Sequence, residues 1–142
     1  MSTTRALVVT PKERAVAIQE TSIPESGPNQ ILVRVGAVVL NCVDWLYTAN
    51  PVAAQDSDRR VIGSDFAGEV AKLGKDMFNH TDPRTKVGTR VEGSVQGACS
   101  VNERSVVFAQ CVVIEWDLAW HVPSMLSLQQ AATVNLCGLI AA

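Results

Sequence analysis

Two short stretches hold the side chains that could do chemistry: Asn41-Cys-Val-Asp-Trp-Leu-Tyr47 and Gly63-Ser-Asp-Phe-Ala-Gly68. Together they offer an amide, a thiol, two carboxyls, a hydroxyl, an indole and a phenol. Groups of this kind orient a ligand by hydrogen bonds or hold and pass a proton. Each also has a structural use. Asn41 can cap a helix as readily as touch a ligand, and Asp44, three residues on, can reach back to the cap's backbone in the manner of a capping box. Asp65 reads first as an acceptor for backbone N–H groups and second as an acid. Tyr47 reads first as a half-buried packing residue. Gly63 and Gly68 suit places where the backbone bends or approaches something closely. The stretch around them reads as a strand–turn–strand or as the wall of a binding cleft.

Metal chemistry finds little support. Cys42, Cys99, Cys111 and Cys137 are scattered without C-x-x-C spacing, so neither a zinc site nor a disulfide framework is expected. Each reads as a small buried hydrophobe. His80 sits in a polar stretch and reads as solvated. His121 reads as satisfying local hydrogen bonds.

The elements that must position these residues are short. Ala6 to Thr10 is β-rich and ends at Pro11. Ala15 to Glu20 alternates as a half-buried strand. Turn formers fill Pro24 to Pro28, and Ile31, Val33 and Val35 then open the clearest strand, running on through Leu40. A short helix is expected from about Cys42 to Ala49, followed by an exposed loop or lid from Asn50 to Arg60. Val70 and Leu73 continue a strand that stops at Gly74. Val87 to Val91 is a turn and strand, Gly93 to Arg104 is irregular, and Val106 to Ile114 is an apolar strand. Trp116 and Trp120 read as core or rim packing. Ser127 caps a second helix, with Gln130 at the capping-box position and Leu128, Ala131, Ala132 and Leu136 apolar. Many short strands with glycine and proline turns and two or more short helices indicate a mainly β fold, a partly open barrel or sandwich.

The 142 residues fit one domain, and 47% hydrophobic against 18% charged residues is enough to build a core. The net charge of −2 gives no basic excess for nucleic acid or an anionic membrane. No apolar run suits a signal peptide or a membrane span, so a cytoplasmic location is expected. The apolar ending Leu139-Ile-Ala-Ala142 has no cap or polar tail. It reads as a cut end whose packing partner lies elsewhere, and it predicts self-association into a homo-oligomer.

Six stretches, in order, resemble the N-terminal GroES-like catalytic domain of the medium-chain dehydrogenase/reductase superfamily. They are Arg5-Ala-Leu-Val-Val9, Gly27-Pro-Asn-Gln-Ile-Leu-Val-Arg-Val35, Leu40-Asn-Cys-Val-Asp-Trp45, Gly63-Ser-Asp-Phe-Ala-Gly-Glu-Val70, Val87-Gly-Thr-Arg-Val91 and Val122-Pro-Ser-Met-Leu-Ser-Leu-Gln-Gln-Ala-Ala-Thr133. The resemblance implies a GroES-like partly open barrel over residues 1–125. Residues 126–142 would then begin the helical linker to a nucleotide-binding domain. Zinc-dependent members place Cys where this chain has Asn41 and His where it has Ser64. The resemblance is therefore to zinc-independent quinone oxidoreductases and fungal trans-enoyl reductases.

That likeness implies NADPH as cofactor, no zinc, and reduction of an activated C=C bond in an enone or enoyl thioester. The substrate would be a small molecule or a carrier-bound acyl chain, with a polyketide synthase as the partner presenting it. Asn41, Cys42, Asp44 and Leu136 would lie on the cofactor side, and Trp45, Ser64 and Asp65 in the substrate cleft. Tyr47 would be the catalytic residue, bonding an enolate oxygen or relaying a proton. The chain departs from the pattern at Leu46, where fungal relatives often carry Lys, at Cys42 and Asn135, where Pro is usual, and at Val107 to Cys111. No Gly-x-Gly-x-x-Gly unit is present. The alternative reading is a non-catalytic GroES-like binding or oligomerising module, or a truncated, inactive gene product.

Overall fold

The computed structural model describes residues 3–10, 15–49, 60–95 and 107–141, apart from the side chains of residues 47, 48 and 140. The turn formers at 24–28 are followed by the long strand β3 (Gln30–Val39), the middle of the structure. The antiparallel pairings of β3 with β5 (Asp65–Leu73) and β7 (Cys111–Glu115) build a five-stranded sheet, completed by β6 (Arg90–Ser94) and β8 (Ala119–His121). Its order is β7-β3-β5-β6-β8. A three-stranded antiparallel sheet, β2-β1-β4, is made of β1 (Thr3–Thr10), β2 (Ala15–Ser22) and β4 (Arg60–Val61). The sheets are tied through the segment before β7, where the Gln110 N–H donates to the Arg5 carbonyl of β1 and the Val35 N–H of β3 donates to the Gln110 carbonyl. The helices are α1 (Cys42–Ala49), α2 (Leu128–Ala131) and α3 (Leu136–Ala141). The fold is mainly β with short helices, as expected.

Strand alternation gives the large sheet two faces. On the barrel side, Ile31, Val33, Phe66, Val70, Val91 and Val112 form a dry core with Phe108 and Ile114. On the other side, Ala67 packs with Val122, Ala131 and Ala132 under α2, joined by Ala37, Val39 and Leu128. One strand serves both cores because its register shifts between Val35, opposite Gly68, and Ala37, opposite Ala67. The extra residue, Gly36, reverses the parity of every side chain after it. Val35 therefore packs on the barrel core and Ala37 on the helical one.

Both glycines of the Gly63–Gly68 stretch answer to a steric need. Gly63 has φ +103°, and the Phe108 ring occupies the place where its Cβ would sit. At Gly68 a Cβ would meet the backbone carbonyl of Arg34 on β3.

Four sequence expectations are corrected. β2 is not half-buried: it is an edge strand, Val16 and Ile18 are exposed, and Ile18 lines an apolar groove of about 500 Å³ with Leu7, Val35, Val38 and Phe108. The strand expected from Val106 begins only at Cys111, because Val107 and Phe108 turn into the barrel core and Ala109 makes a lone bridge to Ala6. The capping box at Ser127 and Gln130 is complete, but the helix it starts ends at Ala131, and α3 begins separately at Leu136. His80 is not merely solvated: its ring lies 4.3 Å from that of Trp116, over which Arg84 also stacks. The loop or lid expected at 50–60 falls almost entirely on residues outside the described set, as does most of the irregular 93–104 segment.

Candidate functional site

Asp65 opens β5 opposite Val39 and Ser94, on the helical face of the sheet. It is fully buried. A carboxylate survives there only if donors surround it. The Leu136 N–H donates to its Oδ1 at 3.0 Å and the Cys137 N–H to its Oδ2 at 3.2 Å. The Asn41 amide Nδ2 donates to the same Oδ2 at 3.1 Å. Asp65 is thus an acceptor for backbone N–H groups, and it caps the first turn of α3 from another element.

Asn41 stands just ahead of α1. Its backbone N–H donates to Asp44 Oδ2 at 2.8 Å, which is the reach-back half of the expected capping box. Its side chain turns to tertiary partners: besides donating to Asp65, its Oδ1 accepts from the Cys137 thiol at 2.9 Å. Asp44 is buried as well, and the Ser64 hydroxyl donates to its Oδ1 at 3.5 Å. Burial pushes the Asp44 carboxyl above its usual range and the charge of Asp65 adds to this, against hydrogen bonds from Asn41 and Ser64.

Glu92 was not foreseen as a site residue. Strand alternation sends it opposite Val91, to a face that the sequence alone would leave to water. Ala67, its partner on β5, lies under α2, so the glutamate is buried instead. Asn135 donates from Nδ2 to Glu92 Oε2 at 2.7 Å. Burial, with the charge of Asp65 adding, lifts this carboxyl to about 7 despite the Asn135 bond. The signal available in advance was Asn135, an amide where the family pattern has proline, since proline has no side-chain donor.

Asn41, Asp44, Ser64, Asp65 and Leu136 therefore meet at one place, joined by Cys137, Glu92 and Asn135. Cys42 and Trp45 point to solvent, Trp45 with 72% of its surface exposed. Leu40 and Leu46 are exposed beside them, so the polar node has an apolar rim. Tyr47 lies within α1, and its side chain is outside the described set. The expectation that each cysteine is buried is corrected: Cys42 is exposed, Cys111 and Cys137 are half-buried, and Cys99 lies outside the described residues. Among the described residues no group of three or more His, Cys, Asp or Glu side chains is arranged to hold a metal ion.

The model of the alcohol dehydrogenase GroES-like domain matches residues 27–124, from the turn before β3 to the connection after β8. The chain belongs to this family. The domain is 31% identical over 137 residues to a trans-enoyl reductase of Thermothelomyces thermophilus, covering 94% of this chain and 35% of that protein. It superposes on a quinone oxidoreductase of Coxiella burnetii with a TM-score of 0.80 at 25% identity, covering 99% of this chain and 43% of that one. It also superposes on a mycobacterial protein solved in complex with NADPH, with a TM-score of 0.75 at 23% identity over 97% of this chain and 39% of that one. The chain spans 35% to 38% of the length of the first curated relatives it matches. These likenesses establish a GroES-like fold and membership of the alcohol dehydrogenase GroES-like domain family.

Proposed function

We propose that this domain is the catalytic-domain part of an NADPH-dependent, zinc-independent oxidoreductase that reduces an activated C=C bond in an enoyl thioester or enone. The observation that carries the reading is the commitment of Asn41 and Ser64, which stand where zinc-dependent members have their metal ligands. The amide of Asn41 is spent on Asp65 and Cys137, and the Ser64 hydroxyl on Asp44. Neither is poised as a cation ligand, and amide and hydroxyl are poor zinc donors in any case. The likeness to a trans-enoyl reductase and to quinone oxidoreductases supports the reaction class, and the family supports a nicotinamide cofactor.

The residues present fit the nicotinamide end of such a cofactor. NADPH, when bound, supplies the hydride. Asn41, Cys42 and Leu136, at the starts of α1 and α3, would lie on the cofactor side. Asp44 is buried behind Asn41, so its part is to hold Asn41 and Ser64 in place rather than to touch the cofactor. Asp65 fixes the Asn41 amide and the first turn of α3 together, which sets the width of the cleft. The exposed Trp45, with Leu40 and Leu46 beside it, offers an apolar surface for an acyl chain. Tyr47, one helical step further, is the group assigned to bond the enolate oxygen or pass a proton. Residues 126–142 begin the connection to the nucleotide-binding domain, which would hold the pyrophosphate. A carrier-bound acyl group presented by a polyketide synthase, in the cytoplasm, is the substrate setting the fungal likeness favours.

The test is NADPH consumption by the full-length protein carrying this domain, with enoyl thioesters, enones, simple ketones and alcohols compared. Reduction of the C=C bond with retention of the carbonyl is expected, unchanged by a zinc chelator. Turnover confined to alcohols or ketones, or loss of activity on chelation, overturns the reading. Titration of the 142-residue domain alone with NADPH should give no micromolar binding, since most dinucleotide affinity comes from the pyrophosphate site.

A further inference from the structure

Two cysteines adjoin Asn41, one in space and one in sequence, and the proposed reduction asks no chemistry of their sulfurs. The Cys137 thiol donates to Asn41 Oδ1 at 2.9 Å, and Cys42 is the residue directly after Asn41. One thiol opens α1 and the other lies in the first turn of α3. Their surroundings differ in a useful way. Cys42 is exposed, whereas Cys137 is half-buried against Asp65 and Asn41. Burial first, then the charges of Asp65, Asp44 and Cys42, push the Cys137 thiol up.

We propose that Cys42 and Cys137 are a peroxide-operated dithiol that closes to a disulfide and straps α1 to α3 across Asn41. This inference does not depend on the reaction proposed above. In the first step the Cys42 sulfur attacks hydrogen peroxide: an S–O bond forms, the O–O bond breaks, and water leaves. In the second, the Cys137 sulfur attacks the sulfenic sulfur of Cys42: an S–S bond forms, the S–O bond breaks, and the oxygen departs as water with the thiol proton. Peroxide is reduced to two waters, and each sulfur gives up one electron. The exposed partner meets the oxidant, and the sheltered partner, giving up its proton as it attacks, resolves the intermediate. Closure needs the two Cα atoms within about 7 Å, and the bond from Cys137 to Asn41 keeps α3 seated against the start of α1. On closure Asn41 Oδ1 loses its thiol donor, so the strap acts on the residue at the centre of the node. A thiol reductant reverses it.

The experiment uses the chain itself, treated with hydrogen peroxide, alkylated, and digested with trypsin and a glutamate-specific protease. The second enzyme cuts at Glu115 and so separates Cys111 from Cys137. A linked Cys42–Cys137 peptide is expected, lighter than its free parts by two hydrogen atoms and lost on reduction. It should persist in Cys111→Ser and vanish in Cys42→Ser. The unsubstituted map decides alone if a variant does not fold. Recovery of Cys42 as sulfinic acid with Cys137 alkylated overturns the proposal. So does a linkage through Cys99, through Cys111 or between two chains.

Discussion

The two faces of the five-stranded sheet are filled by opposite means. The barrel face holds aliphatic and aromatic side chains such as Phe66, Val33, Val70 and Val112. The helical face carries Asp65 and Glu92 beside Ala67, each answered by a donor from the α2–α3 segment. The first face stabilises by area removed from water and is indifferent to pH. The second stabilises only while its partners are in place, because a buried carboxylate without donors is costly. The contrast assigns folding to one face and the placing of α3 to the other.

Substitutions on each face should therefore fail differently. Phe66→Ala should cost about 4 kcal/mol, read as a fall in the urea midpoint shared by every probe, since it leaves a cavity among residues of both sheets. Asp65→Ala should cost roughly 3 kcal/mol, but unevenly, because it strips the acceptor from three donors. Amide exchange should speed up at Leu136 and Cys137 while Val33 and Val70 stay slow. Uniform acceleration across the sheet would erase the division between the faces.

Glu92→Gln tests the same division by pH. The carboxyl rises from an ordinary 4.5 to about 7 in the fold, so the unfolded chain releases this proton first. The group's stabilising contribution is complete below about 4.5 and is lost as pH climbs through about 7. Melting followed across that window should fall in the native chain and stay flatter in Glu92→Gln, which still accepts from Asn135. The variant should lead by roughly 2 kcal/mol at the alkaline end. Parallel pH profiles for the two proteins would remove Glu92 from the account. The smallest effect is expected from Ser127→Ala, about 1 kcal/mol on the melting of α2, since it breaks a cap at the edge of the helical face.

The barrel face was legible in the sequence and the helical face only in part. Ile31, Val33 and Val35 announce a buried strand by alternation, and Gly63 and Gly68 mark the close approaches that the fold contains. Asp65 as a backbone acceptor and the Ser127–Gln130 box follow from local chemistry. Glu92 escaped because alternation tells which residues share a face but not what covers it. Val16 and Ile18 misled for the same reason: their alternation was read as half burial, although β2 is an edge strand. Val107 and Phe108 look like strand residues because buried turns and buried strands use the same side chains. Of the site residues in the stretches 41–45 and 64–65, Asn41, Asp44, Ser64 and Asp65 come together, while Cys42 and Trp45 face solvent. Their division into cofactor and substrate sides rests on the family likeness.

Gly36 has a consequence for relatives of this domain. As the surplus member of β3, it has no partner of its own on β5: Val35 and Ala37 pair with the consecutive residues Gly68 and Ala67. A strand lacking it would bring Val35 and Ala37 side by side and still leave Val39 opposite Asp65. The location of the polar node is thus written in the pairing of the two strands rather than in the number of residues before it. Domains of this build that differ by one residue at this point can keep the same site.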